Sequence, residues 1–276
     1  MNNMENQEQT AIVYMVAGIS SRFEGKIKQF AKVGPNEETL IEYSLNQALK
    51  AGFDKIIFIV GNKTEQLFKE KFGNTYKKIP IEYALQTYDE EKRDRPWGTG
   101  SALCAIKDII DCPFVVCNGD DIYGEKTFKI LYEHLQKSNK EATIGYNLIN
   151  VLAKEGSVNR AIFEIDNENY VQEITEIFNI TKDNLEEKNL KPDNLCNMNF
   201  FALRPTTVQL LNKRLEEFQE QNKDNRKIEF YLPEELANLI KQEKIKIKLY
   251  QTPDTWVGIT NPGDEIIVKE RLKENQ

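Results

Sequence analysis

Small and basic residues suited to binding phosphate follow the first apolar run of the chain. The run Ala11 to Val16 ends at Ala17-Gly18-Ile19-Ser20-Ser21-Arg22-Phe23, and Lys28 lies a few residues further on. A turn of small residues exposes backbone N–H groups to an anion, while the Ser20 and Ser21 hydroxyls, Arg22 and Lys28 add donors and positive charge. The segment predicts a phosphate-binding loop. The alternative is an ordinary strand–loop connection with solvated basic residues.

Two adjacent acids follow a later apolar run, Pro113 to Cys117, in the segment Asn118-Gly119-Asp120-Asp121. Carboxylates at the end of a strand, beside a glycine that permits close backbone approach, suit a hard cation that bridges to phosphate oxygens. The segment predicts a Mg²⁺ site, with Asp120 the better ligand candidate. A plain Gly–Asp turn is the alternative.

A third segment, Arg95-Pro96-Trp97-Gly98-Thr99-Gly100-Ser101-Ala102, precedes a predicted helix. Its backbone groups are placed to contact a base or a ribose. A turn in which Ser or Thr caps the helix is the alternative.

These segments need a scaffold that brings them to one edge, and alternating elements in the first half of the chain predict one. Buried strands and amphipathic helices follow each other, which is typical of an α/β fold with a mostly parallel, Rossmann-like sheet flanked by helices. Ligands in such sheets lie beyond the carboxyl ends of the strands. The predicted strands are 11–16, 55–60, 79–86 and 113–117, and the predicted helices are 39–51, 64–72, 100–110 and 128–136.

The pattern changes after about residue 140. Strand-like segments separated by polar turns predict a small antiparallel annex against the main sheet. The predicted strands here are 142–149, 160–165, 170–178, 195–203 and 245–250, and the predicted helices are 207–221, 231–242 and 263–274. We expect residues 1–10 to be a disordered lead-in and residues 11–276 to form a single domain, with an NTP-binding part at 11–140 and an acceptor-binding part at 141–276.

Composition narrows the function class. The formal net charge of -7 and the mixed signs of the charged residues offer no basic stripe for a nucleic acid polymer. No apolar run has the length of a membrane helix and no secretory signal opens the chain, so we expect a cytoplasmic protein. The four cysteines are far apart, which predicts reduced core residues, and the single histidine, His134, argues against Ser-His-Asp hydrolysis.

Taken in order, the segments resemble the nucleotidyltransferases that make nucleotide sugars, which have a GT-A-like Rossmann fold. The motif Ala17 to Arg22 followed by Lys28 matches their opening pattern, and 28–33 (KQFAKV) looks like the Lys-Gln-Leu-Leu-Pro-Val run of glucose-1-phosphate thymidylyltransferases. Trp256 to Asp264 is similar to the Ile-(Thr/Asn)-x-Pro-Glu-Asp ending of the superfamily.

The resemblance implies transfer of a nucleoside monophosphate from an NTP to a phosphorylated small-molecule acceptor, with Mg²⁺ as cofactor. It implies that Arg22 binds the β- and γ-phosphates, that Lys28 binds the α-phosphate, and that Asp120 holds the metal. Gln86 matches the glutamine that reads a pyrimidine, so CTP, UTP or dTTP is the expected NTP. The implied nucleotide-binding residues are Ala17, Gly18, Ile19, Ser20, Ser21, Gln86, Gly98, Thr99 and Asn118.

Two departures from the family pattern concern the metal and the acceptor. Thr260 stands where many relatives have a second acidic or amide ligand, and a hydroxyl is a weaker one. Glu176 matches a strand glutamate of sugar-phosphate members, but Ile177 replaces the lysine that follows it. Asn197 and Asn199 are further candidates for binding the acceptor.

Because of Ile177, a cytidylyltransferase acting on a phosphocholine-like alcohol or amide stays open beside sugar-phosphate transfer. A non-catalytic nucleotide sensor and a glycosyltransferase are the alternatives from other classes. The sensor would have lost Arg22, Lys28 or Asp120, and the glycosyltransferase normally carries Asp-x-Asp, a spacing that Asp120-Asp121 lacks.

Overall fold

Thirteen short strands form within the part of the chain that a computed structural model describes, residues 8–18, 27–153, 156–259 and 263–274. They are β1 (Ala11–Met15), β2 (Lys55–Gly61), β3 (Thr75–Tyr76), β4 (Ile79–Gln86), β5 (Phe114–Asn118), β6 (Asp121–Ile122), β7 (Glu141–Asn147), β8 (Val158–Ile165), β9 (Val171–Ile180), β10 (Leu195–Cys196), β11 (Phe201–Leu203), β12 (Ile247–Gln251) and β13 (Val257–Gly258).

Helices cover the sheet on both faces. They are α1 (Leu40–Ala51), α2 (Glu65–Phe72), α3 (Thr99–Cys104), α4 (Glu125–Lys137), α5 (Pro205–Gln221), α6 (Leu232–Lys241) and α7 (Asp264–Glu274). Residues from α1, α2 and α4 share one apolar core with the sheet, and residues from α3, α5 and α6 share the other. Alternate side chains of β1 divide between the two cores, as the pleat of a strand requires. No helix in the described ranges has the length and apolar character needed to cross a bilayer.

The main sheet has the order β3-β4-β2-β1-β5-β11-β7-β10-β8-β9, with β12 beside β7. Its centre, β4, β2, β1 and β5, is parallel, which confirms the predicted α/β fold class. From β11 onward most pairings are antiparallel, and β8, β9 and β10 form the predicted annex as a continuation of the main sheet. A separate pair, β6 and β13, joins the segment after β5 to the C-terminal part of the chain.

Two element predictions were wrong in extent. The predicted helix 100–110 gives way after α3, because the next turns are closed by bonds three residues apart, as from the Ala105 amide to the Ala102 carbonyl. The predicted strand 195–203 is divided into β10 and β11. Between them the Asn197 side-chain oxygen accepts the Asn199 N–H at 2.7 Å, and Asn199 has a φ of 54°, a left-handed conformation that ends a strand.

The single histidine is a packing residue. His134 is buried on α4, with one ring nitrogen 3.1 Å from the Tyr250 hydroxyl and the other 2.8 Å from the Lys140 carbonyl. The four cysteines are buried and free, in agreement with their prediction as reduced core residues.

Candidate nucleotide-binding site

A cavity of about 790 Å³ lies beyond the carboxyl ends of β1, β4 and β5, where the fold places a ligand. Six of the predicted nucleotide-binding residues line it together, although they come from four separate parts of the chain. These six are Ala17, Gly18, Gln86, Gly98, Thr99 and Asn118. The predicted residues Ile19, Ser20, Ser21, Arg22 and Thr260 lie outside the described residues.

Gln86, the last residue of β4, is held at the wall of this cavity. Its side chain is only 8% exposed, and its Nε2 donates to the Gly98 carbonyl at 3.2 Å. Gly98 has a φ of 99°, and a Cβ at this position would lie 2.9 Å from the Phe230 carbonyl oxygen, so the site requires glycine. The Gln86 Oε1 and the second Nε2 hydrogen are the remaining hydrogen-bonding groups of that amide.

The start of α3 is fastened to the segment that leads into α6. The Thr99 hydroxyl accepts the Leu232 N–H at 3.0 Å, and the Gly100 N–H donates to the Phe230 carbonyl at 2.9 Å. The Thr99 hydroxyl therefore has a structural bond of its own, at the first turn of α6. These two hydrogen bonds hold the start of α3 in place as part of the cavity wall.

Lys28 and Asp120, both outside the elements that form the cavity wall, are joined by an ion pair. Lys28 begins a short 3₁₀ turn, Lys28–Phe30, and its Nζ also donates to the Ile259 carbonyl at 3.3 Å. The Ile259 N–H donates in turn to the Asp120 carbonyl oxygen at 3.2 Å. Since the two side chains are 18% and 23% exposed, an arriving phosphate or cation can reach both charges.

Asp121 is the buried member of the acidic pair. Its carboxylate accepts the Asn118 side-chain amide at 2.9 Å and the Tyr123 hydroxyl at 3.2 Å. Burial raises the pKa of Asp121 to about 7, and the neighbouring charge of Asp120 adds to this shift. Asp120 is therefore the acid of this pair with a carboxylate open to a ligand. No group of three or more His, Cys, Asp or Glu able to hold a metal occurs among the described residues.

The candidate acceptor residues lie apart from the residues that line this cavity. Glu176 is half-buried on β9, and burial, with Glu234 nearby, raises the pKa of its carboxyl. Asn197 is 6% exposed and its Nδ2 has no hydrogen-bond partner. The segment it shares with Asn199 is tied to the acidic pair through Tyr123, whose hydroxyl donates to the Met198 carbonyl at 2.9 Å.

One wall of the cavity includes Asp94 and Glu229, to which the sequence analysis gave no role, beside Arg95 of the third predicted segment. Asp94, Arg95 and Glu229 line it, and an ion pair of 2.8 Å joins Arg95 to Glu229. Their position depends on Arg93, which is 3% exposed. The only local signal was an arginine close to the Pro-Trp-Gly turn, and two of its three carbonyl partners lie more than 130 residues away.

Comparisons with known proteins concern the family and the fold of this chain. A family model described as nucleotidyl transferase matches residues 24–256. A bifunctional protein named GlmU from Staphylococcus carnosus is 26% identical over 253 residues, which are 88% of this chain and 47% of that protein. The chain therefore spans about half the length of this curated relative.

Two solved structures are similar in fold. One is a structure described as a putative glucose-1-phosphate thymidylyltransferase from Bacillus anthracis, with a TM-score of 0.69, 12% identity and 96% of each chain covered. The other is the inositol-1-phosphate CTP transferase from T. maritima, with a TM-score of 0.66, 12% identity and 98% of each chain covered.

Proposed function

Because this chain belongs to the nucleotidyl transferase family, we propose that it transfers a nucleoside monophosphate from an NTP to a phosphorylated small molecule and releases pyrophosphate. The observation that carries the proposal is the common cavity of Gln86, Gly98, Asn118 and the Ala17-Gly18 turn. The part up to about residue 140 binds the NTP, and the following part binds the acceptor.

In the proposed reaction, an oxygen of the acceptor phosphate attacks the α-phosphorus, a new P–O bond forms, and the bond to the β-phosphate breaks. A phosphate monoester is already ionised near neutral pH, so no general base is needed and catalysis consists of positioning and charge neutralisation. Lys28 binds the α-phosphate and stabilises the charge that gathers there, and Arg22 binds the β- and γ-phosphates. In the free protein, the Lys28 ammonium is held ready by its ion pair with Asp120.

Asp120 is suited to bind a Mg²⁺ whose coordination shell would be completed by the substrate phosphates. Mg²⁺ is commonly held by one or two carboxylates together with phosphates and water, so a site with a single accessible carboxylate is sufficient. Thr260 is the proposed second, weaker ligand. When bound, Mg²⁺ would neutralise the charge of the reacting phosphates.

Gln86 is proposed to select a pyrimidine base, as in CTP, UTP or dTTP. Its Nε2 donates a hydrogen bond to the Gly98 carbonyl, and this bond orients its Oε1, the atom that can accept a hydrogen bond from a base. The N3–H of uracil or thymine and the amino group of cytosine are the pyrimidine donors that match it.

The acceptor is proposed to be a sugar phosphate. A phosphorylated alcohol or amide with CTP as the donor is the second candidate, and Ile177 favours it, because no lysine follows Glu176 to bind a sugar phosphate in the usual way.

Pyrophosphate release across CTP, UTP, dTTP, ATP and GTP, each with a panel of sugar phosphates and phosphoalcohols and with Mg²⁺, tests the proposal. We expect one pyrimidine NTP with one phosphomonoester class to give release that requires both substrates. If no pair gave pyrophosphate release, the proposed transferase activity would be rejected in favour of a nucleotide sensor. The Asp120→Asn variant is the control, since it should abolish release while the fold is retained.

A further inference from the structure

Among the described residues, no carboxylate forms an ion pair with the Arg160 side chain, on β8. Its two terminal nitrogens donate to backbone carbonyls, Nη1 to Asn159 at 2.9 Å and Nη2 to Val151 at 2.8 Å. Its Nε has no acceptor, and within the described ranges no acid forms an ion pair with it. Carbonyls fix the orientation of a guanidinium but leave its positive charge in place, so a site for an anion remains.

Its surroundings make that charge costly. The guanidinium carbon lies 5.5 Å from the centre of the Trp256 ring, and the side chain is half-buried. Burial lowers the pKa of Arg160, which is the direction expected for a cation that has lost solvent and gained no counter-ion. An anionic ligand group would supply the missing counter-charge.

Arg160 lies on the acceptor side of the molecule. In the β8–β9 ladder it is paired directly with Ile177, so the two side chains leave the same face of the sheet. The Asn197 N–H donates at 2.8 Å to the carbonyl of Ala161, the residue after Arg160, which brings the Asn197 side chain with its unpartnered Nδ2 beside β8. Nearby Cys196, Asp121 and Glu176 act on the pKa of Arg160 in the direction opposite to burial.

Two other arginines bound to backbone carbonyls show what a purely structural arginine looks like in this protein. Arg93 donates to three carbonyls through all three of its nitrogens and is 3% exposed. Arg204 also binds carbonyls, but it has a carboxylate partner, Glu8, at 3.3 Å. Arg160 differs from both: its Nε has no acceptor, and it has no carboxylate partner among the described residues.

We propose that Arg160 binds the phosphate of the acceptor, in place of a lysine after Glu176. The proposal rests on the proposed function for its substrate, a phosphomonoester. Arginine presents parallel N–H donors to two phosphate oxygens, which a lysine cannot do. Since Ile177 is the cross-strand partner of Arg160, the positive charge lies on the same face of the sheet, one strand away from the position after Glu176.

Binding of a probe anion tests the site without turnover. Replacing Trp97 by Phe leaves Trp256 as the one tryptophan of the chain, directly under the guanidinium. Its fluorescence is then titrated with inorganic phosphate and with glycerol 3-phosphate, and with glycerol as the neutral control. We expect a saturable change with both phosphates and none with glycerol.

Variants assign that response to Arg160. Arg160→Met should weaken phosphate binding roughly 10- to 100-fold, the usual loss for a charge-assisted hydrogen bond, and Arg160→Lys should weaken it less. Adding Ile177→Lys to Arg160→Met should recover part of the affinity, which a folding defect would not do. Arg204→Met is the matched control and should bind phosphate as before. Unchanged affinity in Arg160→Met, or no saturable response in the parent, would overturn the proposal.

Kinetics separates this proposal from the proposed function. If a substrate pair supports pyrophosphate release, Arg160→Met should raise the KM of the acceptor 10-fold or more, while the KM of the NTP changes less than threefold. Release with an unchanged acceptor KM would reject the role of Arg160 and leave the transferase intact. Phosphate binding that depends on Arg160, in a protein that releases no pyrophosphate with any pair, would reject the transferase and leave the site intact.

Discussion

The two tryptophans of the chain each lie against an arginine, one beside the nucleotide cavity and one on the acceptor side. The Arg93 guanidinium carbon is 3.4 Å from the centre of the Trp97 ring, and the Arg160 guanidinium carbon is 5.5 Å from that of Trp256. Arg93 binds the carbonyls of Arg95, Asn225 and Ile228 and is sealed from solvent, whereas Arg160 binds two carbonyls and remains half-buried.

The difference lies in whether the hydrogen-bonding capacity is used. A buried guanidinium whose three nitrogens all donate to carbonyls acts as a structural anchor, because a ligand would have to compete with bonds already made. In this protein the Arg93 guanidinium joins the loop after β4 to the segment before α6, and so holds one wall of the candidate nucleotide cavity. An unsaturated guanidinium with no counter-ion is available to a ligand. Under the proposed function, the nucleotide side is preformed and the acceptor side is completed by its substrate.

The largest expected effect is a loss of turnover when Lys28 of the Lys28–Asp120 ion pair is replaced. Lys28→Ala should lower turnover about 10²- to 10³-fold, because a charge placed on the α-phosphate is worth about 2.7–4 kcal/mol in the transition state. The measurement is pyrophosphate release at saturating substrates, with thermal unfolding to verify the fold. Lys32→Ala is the control, since Lys32 forms an exposed ion pair with Glu37 at 3.6 Å and should turn over normally. Near-normal turnover of Lys28→Ala would remove Lys28 from the reaction.

Arg93→Met should destabilise the fold by about 3 kcal/mol, because a buried side chain loses its bonds to three carbonyls at once. Urea denaturation measures this change. Arg226→Met serves as the control, because Arg226 is paired with Asp94 at an exposed position and should cost far less. A stable Arg93→Met protein would break the comparison, since Arg93 would then fasten nothing.

Gln86→Ala should lower the preference for a pyrimidine over a purine NTP about tenfold, close to 1.4 kcal/mol, as expected for loss of one hydrogen bond to the base. The ratio of kcat/KM values for the two classes of NTP gives the preference. Gln66→Ala, on the exposed face of α2, is the control. An unchanged ratio would move base selection to another part of the cavity.

The smallest effect expected is on the stability of Arg160→Met, about 1 kcal/mol, since the variant loses two carbonyl bonds at a half-buried site but also removes an uncompensated charge. The same urea experiment applies. Destabilisation as large as that of Arg93→Met would make the two arginines equivalent and contradict their assignment to different tasks.

Sequence reasoning predicted six residues that the structure brings to one cavity, because each lies in or directly beside the end of a local element. Ala17-Gly18, Gln86 and Asn118 each end an apolar strand, and parallel strands bring such ends to one edge without further information. The fold class followed from the same alternation. The break between β10 and β11 was missed, since Asn197 and Asn199 occur in a segment that otherwise has the composition of a strand.

The arginine contacts could not be read from the sequence. Arg93 and Ile228 are 135 residues apart, and no periodicity connects them. Arg160 occupies an inconspicuous place among the polar residues of a strand, and its role depends on Trp256 and on the cross-strand position of Ile177. That Arg160 and Ile177 are cross-strand neighbours is known only from the register of the sheet.

The central claim is that the α-phosphate of an NTP is transferred to a phosphorylated acceptor. Its most direct test follows the label from an α-³²P pyrimidine NTP with the acceptor that gives pyrophosphate release. The account predicts that the label appears in a product containing both nucleotide and acceptor, that pyrophosphate is unlabelled, and that Asp120→Asn stops both. Label that stays in the NTP with every acceptor, or that leaves as free nucleoside monophosphate regardless of the acceptor, would contradict it.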